Sequence, residues 1–286
     1  MIIFHDPRCV EYAAPGHPER PARITRTVPV LKDRHPTWEW REPRAATKDE
    51  LLRAHSSEHI DHVENPRGDF DMDTPAYPKI YDYGLKSAGA GIQAAHAALK
   101  GEHGFVLNRP PGHHATHDRA MGFCYFSNIA VAALDALENG ADRVAIWDFD
   151  AHHGNGTEAI VAHNERIRFA SIHQFPAYPG TGEKPFANID NFAVAPGTPR
   201  KEHVEICKRA LDRSITFNPN LILVSAGFDA YARDPLVQMT LELEDFATLG
   251  EWLRKIDIPI AAILEGGYSD DLPELIDAFL TSWAGE

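Results

Sequence analysis

The chain has 286 residues, 43% of them hydrophobic and 24% charged, which suffices for a large core and is ordinary for a globular α/β protein. A formal net charge of −14 argues against direct binding to nucleic acid, which needs clustered Lys and Arg, and mildly favours cationic substrates at long range. No run approaches eighteen apolar residues, and Met1-Ile2-Ile3-Phe4-His5-Asp6 lacks the basic-then-apolar pattern of a signal peptide, so no membrane span or export is expected. The three cysteines, Cys9, Cys124 and Cys207, are far apart and form neither a disulfide framework nor a Cys-based zinc site, which suits a reducing cytoplasm.

In chain order, Ile2-Ile3-Phe4 reads as a first strand. Pro15–Pro21 is a loop leading into a helix from about Ala22 to Leu31. Residues 47–63 carry two short helical patterns. The stretch 64–83, rich in Pro, Gly, Asp and Tyr, reads as a long surface loop, a type of segment that often carries function. A helix with small residues for close packing follows over about Ser87–Leu99. Gly104–Asn108 is a strand, and Phe126 leads a helix to about Glu138. Arg143–Trp147 is an apolar, β-prone strand, followed by a short helix near 157–162 and a strand over 167–172. The proline-rich stretch 174–200 reads as irregular. Helix 200–217, strand 221–225, helix 242–256, strand 259–264 and a closing helix complete the pattern. Strands alternating with helices predict a mostly parallel sheet with helices on both faces, and no repeat or composition break divides 1–286 into more than one domain.

The polar residues concentrate where strands end. After Trp147 comes Asp148-Phe-Asp150-Ala-His152-His153-Gly-Asn-Gly156. In an extended chain, residues two apart share a face, so Asp148, Asp150 and His152 would point the same way. Two carboxylates and an imidazole suit zinc better than magnesium or calcium. Three other strands end in Pro-Gly-His113-His114, Gly-Phe-Asp229 and Gly-Gly-Tyr268. In open parallel sheets, sites form at the carboxyl ends of strands.

These stretches resemble a known family. Arg109-Pro-Pro-Gly-His-His-Ala115, Gly122-Phe-Cys-Tyr-Phe126, Asp148-Phe-Asp-Ala-His-His-Gly-Asn-Gly156, Ser225-Ala-Gly-Phe-Asp229 with Asp234-Pro235, and Glu265-Gly-Gly-Tyr268 are similar to the zinc-dependent histone deacetylases, including bacterial deacetylase-like amidohydrolases and acetylpolyamine amidohydrolases. The likeness runs from the Pro-Glu-Arg near residue 19 to Tyr268. It implies the arginase–deacetylase fold, an eight-stranded, mostly parallel sheet flanked by helices.

By position, the resemblance assigns Asp150, His152 and Asp229 as zinc ligands and leaves an open coordination position for water and the acyl carbonyl. It makes His114 the general base and acid, and His113 its electrostatic support. Asp148 would orient His113, and Asn155 would orient His114. Tyr268 would donate to the oxyanion. Phe123 and Tyr178 would wall the channel for the acyl-amine stem; Phe is usual at the second position, so Tyr178 is a departure. Gly122 would accept the substrate amide N–H, and Asp73 would hold the substrate backbone at the rim. Asp148, Ser171 and Ile172, with the carbonyls of Asp150 and His152, resemble a structural potassium site.

The implied activity is removal of acetyl or other short acyl groups from lysine-type amines, with acetylpolyamines or other small amides as the alternative substrates. The acidic gatekeeper of the polyamine-selective branch is replaced here by Leu236. Arginase-type hydrolases share the fold but hold two manganese ions. The carboxylates a second ion needs would stand at 154 and 227, where this chain has glycines. An inactive acyl-lysine-binding module would lack Tyr268 or the tandem histidines, and both are present. Oligomeric state is not readable from the sequence.

Overall fold

A computed structural model describes residues 1–286. Eight strands form one sheet: β1 (Ile2–Phe4), β2 (Glu39–Arg41), β3 (Gly104–Val106), β4 (Val144–Asp148), β5 (Ile167–Gln174), β6 (Ile189–Val194), β7 (Leu221–Ala226) and β8 (Ile260–Leu264). Their spatial order is β2-β1-β3-β8-β7-β4-β5-β6, and every pairing is parallel. The helices are α1 (Ala22–Thr25), α2 (Thr27–Arg34), α3 (Lys48–Leu51), α4 (Ser57–Glu64), α5 (Ile80–Ala98), α6 (Asn128–Glu138), α7 (Asn155–Val161), α8 (Arg200–Thr216), α9 (Leu243–Arg254) and α10 (Leu272–Ala284), with a 3-10 turn at Pro7–Val10.

Strand periodicity builds the layers. Ala145, Trp147, Ile222, Val224, Ala262 and Leu264 pack on one face against α8, α9 and α10. Val144, Ile146, Leu221, Leu223, Ala261 and Ile263 face the opposite way, against α5 and α6. The central strands are buried on both faces, which is why they read as continuous apolar runs.

Three expectations need correction, and one strand was not anticipated. The helix expected over 22–31 is two helices, broken at Arg26. The expected loop 64–83 ends at Lys79, because Ile80, Tyr83 and Gly84 are buried as the first turns of α5. The stretch 174–200 contains β6, an edge strand in which the adjacent polar pair Asp190-Asn191 breaks the strand alternation and which lies between Pro185 and Pro196. At the opposite edge, β2 pairs with β1, and only three residues carry it.

Candidate active site

β4 stops at Asp148, so Asp148, Asp150 and His152 do not share one face of a strand. Two successive turns curl the chain instead: the Asp148 carboxylate accepts from the Asp150 N–H at 3.1 Å, and the Asp150 carboxylate accepts from the His152 N–H at 2.8 Å. The curl turns Asp148 toward His113 and brings Asp150 and His152 to Asp229, which follows β7. Nδ1 of His152 lies 2.8 Å from Asp229 and 3.2 Å from Asp150. One ligand atom from each of these three buried residues falls within 4.8 Å of the others.

The backbone holds both carboxylates. Asp150 Oδ2 accepts from Gly266 N–H at 2.7 Å, and Asp229 Oδ1 accepts from Ala151 N–H at 2.8 Å. Burial opposes charge on the His152 ring, yet Asp229 and Asp150 outweigh it and hold its pKa well above the ordinary value. The same negative field draws a divalent cation. Buried carboxylates without a counter-charge cost several kcal/mol each, and a mixed oxygen–nitrogen donor set suits zinc. The carboxylates that a second metal would need at 154 and 227 are glycines here, and the space at each is closed to a side chain. A Cβ at Gly154 would meet Asp148 Oδ2 at 2.3 Å, and one at Gly227 would meet Asp150 Oδ2 at 2.1 Å.

The tandem histidines follow β3 and a buried Arg109–Glu19 ion pair. Nδ1 of His113 meets Asp148 at 3.1 Å, and Nδ1 of His114 meets Asn155 at 2.7 Å on the first residue of α7. The two rings then titrate in opposite directions. Burial disfavours charge on His113, but Asp150 and Asp148 outweigh it and raise the pKa to about 10. His114 is pushed well below the ordinary value, by burial first and then by the neighbouring His113 and His152. Their surroundings thus favour charge on the His113 ring and disfavour it on the His114 ring.

Asp73, His114, Gly122, Phe123, His152, Tyr178, Leu236 and Tyr268 line one cavity of about 200 Å³. Gly122 has φ +56, and a Cβ there would strike the His114 ring at 2.6 Å. Phe123 is also left-handed, at φ 68, held by its N–H to Thr74 Oγ1 at 3.0 Å. Its ring meets Tyr268 edge-on, while Tyr178 stands edge-on to His114 at 5.2 Å. Burial keeps the Tyr268 phenol well above its ordinary pKa.

Two carboxylates with no role assigned from the sequence organise this site. Glu265 Oε2 accepts from the N–H groups of Gly112 and His113 at 2.7 and 3.1 Å. Asp234 accepts from Tyr268 N–H at 2.7 Å and from Leu236 N–H at 3.0 Å. Both stand inside the quoted motifs; the place of Glu265 directly after β8 was the available signal for it, and Asp234 had only its motif. Ser171 is the register partner of Asp148, and its hydroxyl meets His173 Nδ1 at 2.9 Å.

Residues 17–282 match the sequence profile of the histone deacetylase domain. The chain belongs to the histone deacetylase family. It is 39% identical to a probable deacetylase of Methanothermobacter thermautotrophicus over 95% of this chain and 86% of that one. It is 35% identical to a histone deacetylase-like amidohydrolase of Pseudomonas aeruginosa, over 90% of this chain and 74% of that one. The crystal structure of an acetylpolyamine aminohydrolase from Burkholderia pseudomallei superimposes with a TM-score of 0.91 at 25% identity, covering 99% of this chain and 98% of that one. Histone deacetylases are zinc-dependent amidohydrolases, and the donor set of Asp150, His152 and Asp229 fits that metal.

Proposed function

We propose that this deacetylase removes acetyl or other short acyl groups from lysine-type amines, with one zinc held by Asp150, His152 and Asp229. The observation that carries the reading is the cavity itself, whose lining joins an apolar channel to His114, His152 and Tyr268. When bound in such a set, zinc polarises the acyl carbonyl and lowers the pKa of a water toward ~7.

The chain's own groups do the rest. Asn155 Oδ1 accepts the Nδ1 proton of His114, which leaves Nε2 free to take a proton from the attacking water. His114 then returns that proton to the amine nitrogen as the C–N bond breaks. His113, held on Asp148 by Nδ1, stands beside it in surroundings that favour a positive ring and gives electrostatic support. The Tyr268 phenol stays protonated and donates to the charge developing on the carbonyl oxygen. Phe123 and Tyr178 wall the stem, the Gly122 carbonyl accepts the substrate N–H, and Asp73 holds the substrate backbone at the rim.

The potassium site rests on the resemblance alone. Both the Asp148 carboxylate and the Ser171 hydroxyl already have protein partners, and no step depends on that ion. Three free, buried cysteines suit the cytoplasm, and no helix is long and apolar enough to cross a membrane. We assign no nucleic-acid partner, given the −14 charge, and read 1–286 as one domain.

Leu236 favours acyl-lysine over acetylpolyamine. A distant ammonium brought against this apolar side chain loses water and gains no partner. The test is kcat/KM for an acetyl-lysine peptide against an N8-type acetylspermidine at physiological salt. A higher value for the peptide is expected; a clear advantage for the polyamine would move the assignment to the polyamine branch named by the Burkholderia relative.

A further inference from the structure

Two buried imidazoles, His153 and His173, take no part in the reaction proposed above. Their rings lie 4.5 Å apart beneath the loop that carries Tyr178. His153 Nε2 lies 3.0 Å from the Glu158 carboxylate, which can only accept, so Nε2 carries the proton and Nδ1 accepts from the Thr181 hydroxyl at 2.8 Å. Glu158 is held in turn by Asn191 of β6 at 2.7 Å. His173 Nε2 donates to the Gly182 carbonyl at 2.9 Å, and its Nδ1 accepts from Ser171. Gly182 sits at φ +84, where a Cβ would approach His173 Nε2 to 2.5 Å and the His153 ring to 2.6 Å. Backbone and side chain of adjacent loop residues are thus seated on two fixed rings, three and four residues after Tyr178.

We propose that His153 and His173, gripping Thr181 and Gly182, are positioning residues that fix the Tyr178 wall of the pocket and so set affinity for the substrate stem. This rests on the reading of the cavity as an acyl-amine pocket. Of this loop, Tyr178 is the residue that lines the cavity, and its ring packs edge-on to both His114 and His152. Loosening the clamp therefore acts on binding more than on proton transfer.

The test uses Thr181→Val on the full-length, zinc-loaded protein. Valine keeps the shape and removes the hydroxyl, and Thr181 is exposed, so the fold is not at stake. KM for an acetyl-lysine peptide is expected to rise roughly two- to tenfold, the worth of one neutral hydrogen bond, with kcat within about twofold. Thr181→Ser, which keeps the hydroxyl, should restore KM. In a Tyr178→Ala background, Thr181→Val should add nothing, because the wall it positions is gone. Hydrogen exchange across 175–188 gives a readout independent of turnover, and it should quicken in Thr181→Val and not in Thr181→Ser. An unchanged KM, an effect confined to kcat, or an undiminished effect in the Tyr178→Ala background would overturn the proposal. Should the wild-type protein release no acetate, the acyl-lysine reading fails, and the exchange comparison alone then decides the clamp: unchanged exchange refutes it.

Discussion

In the proposed reaction, Asn155 and Tyr268 each put one polar atom where the chemistry needs it. Tyr268→Phe keeps the ring that packs on Phe123 and removes its phenol hydroxyl from the cavity lining. Turnover should fall about 10²–10³-fold, the usual value of one oxyanion donor, with metal content unchanged. Near-wild-type kcat on a minimal acetyl-lysine substrate would refute the role. His114 must be neutral to take a proton, and its pKa lies well below the ordinary 6.5. The acid limb of kcat/KM should therefore fall below that pH, and activity should be flat from there to neutrality. Asn155→Asp places a full negative charge on the Nδ1 side of the ring, favours the imidazolium, and should move that limb to higher pH. A pH profile of both proteins checks the direction of the shift.

Among the elements, α5 shows how tightly packing constrains sequence. Gly89 lies inside the helix, where replacement by alanine ordinarily gains about 1 kcal/mol. A Cβ there would meet the Arg44 carbonyl at 2.1 Å and the Ala46 nitrogen at 2.7 Å, both backbone atoms of the strap between β2 and α3. Overpacking of this kind costs about 1–3 kcal/mol, so Gly89→Ala should destabilise, as a lower denaturation midpoint at constant m-value would show. Much of the architecture was legible. β4, β7 and β8 are buried on both faces and read as apolar runs, and their ends carry the polar motifs. The edges were not. β2 is three residues long with exposed Glu39, and β6 carries the adjacent polar pair Asp190-Asn191 between prolines instead of a strict alternation, so neither has a signal that distinguishes it from a loop. Site composition was legible where ligand-type residues sit in long motifs. The curl after Asp148 was not, because it depends on carboxylate-to-backbone bonds that period-two reasoning ignores. Glu265, Asp234, His153 and His173 were visible as residues, but their partners lie far away in sequence or on loops without pattern.

At the scale of the whole molecule, charge and metal are coupled. A −14 chain that buries Asp148, Asp150 and Asp229 at its centre gains from any cation that binds only the folded state. Zinc at a hundred times its Kd should add about 2.7 kcal/mol, which for a chain of this size raises Tm by roughly 4–5 °C. Asp229→Ala should lose most of that increment in calorimetry. The field of the net charge is screened beyond roughly 8–10 Å, whereas Leu236 lines the cavity itself and would act at contact range in the proposed discrimination. The most direct measurement is titration of metal-stripped protein with zinc while acetate release from an acetyl-lysine peptide is followed. Activity should rise linearly and saturate at one equivalent per chain, with Asp229→Ala inactive throughout. Saturation at two equivalents, or no acetate at any loading, would contradict a mononuclear deacetylase built on Asp150, His152 and Asp229.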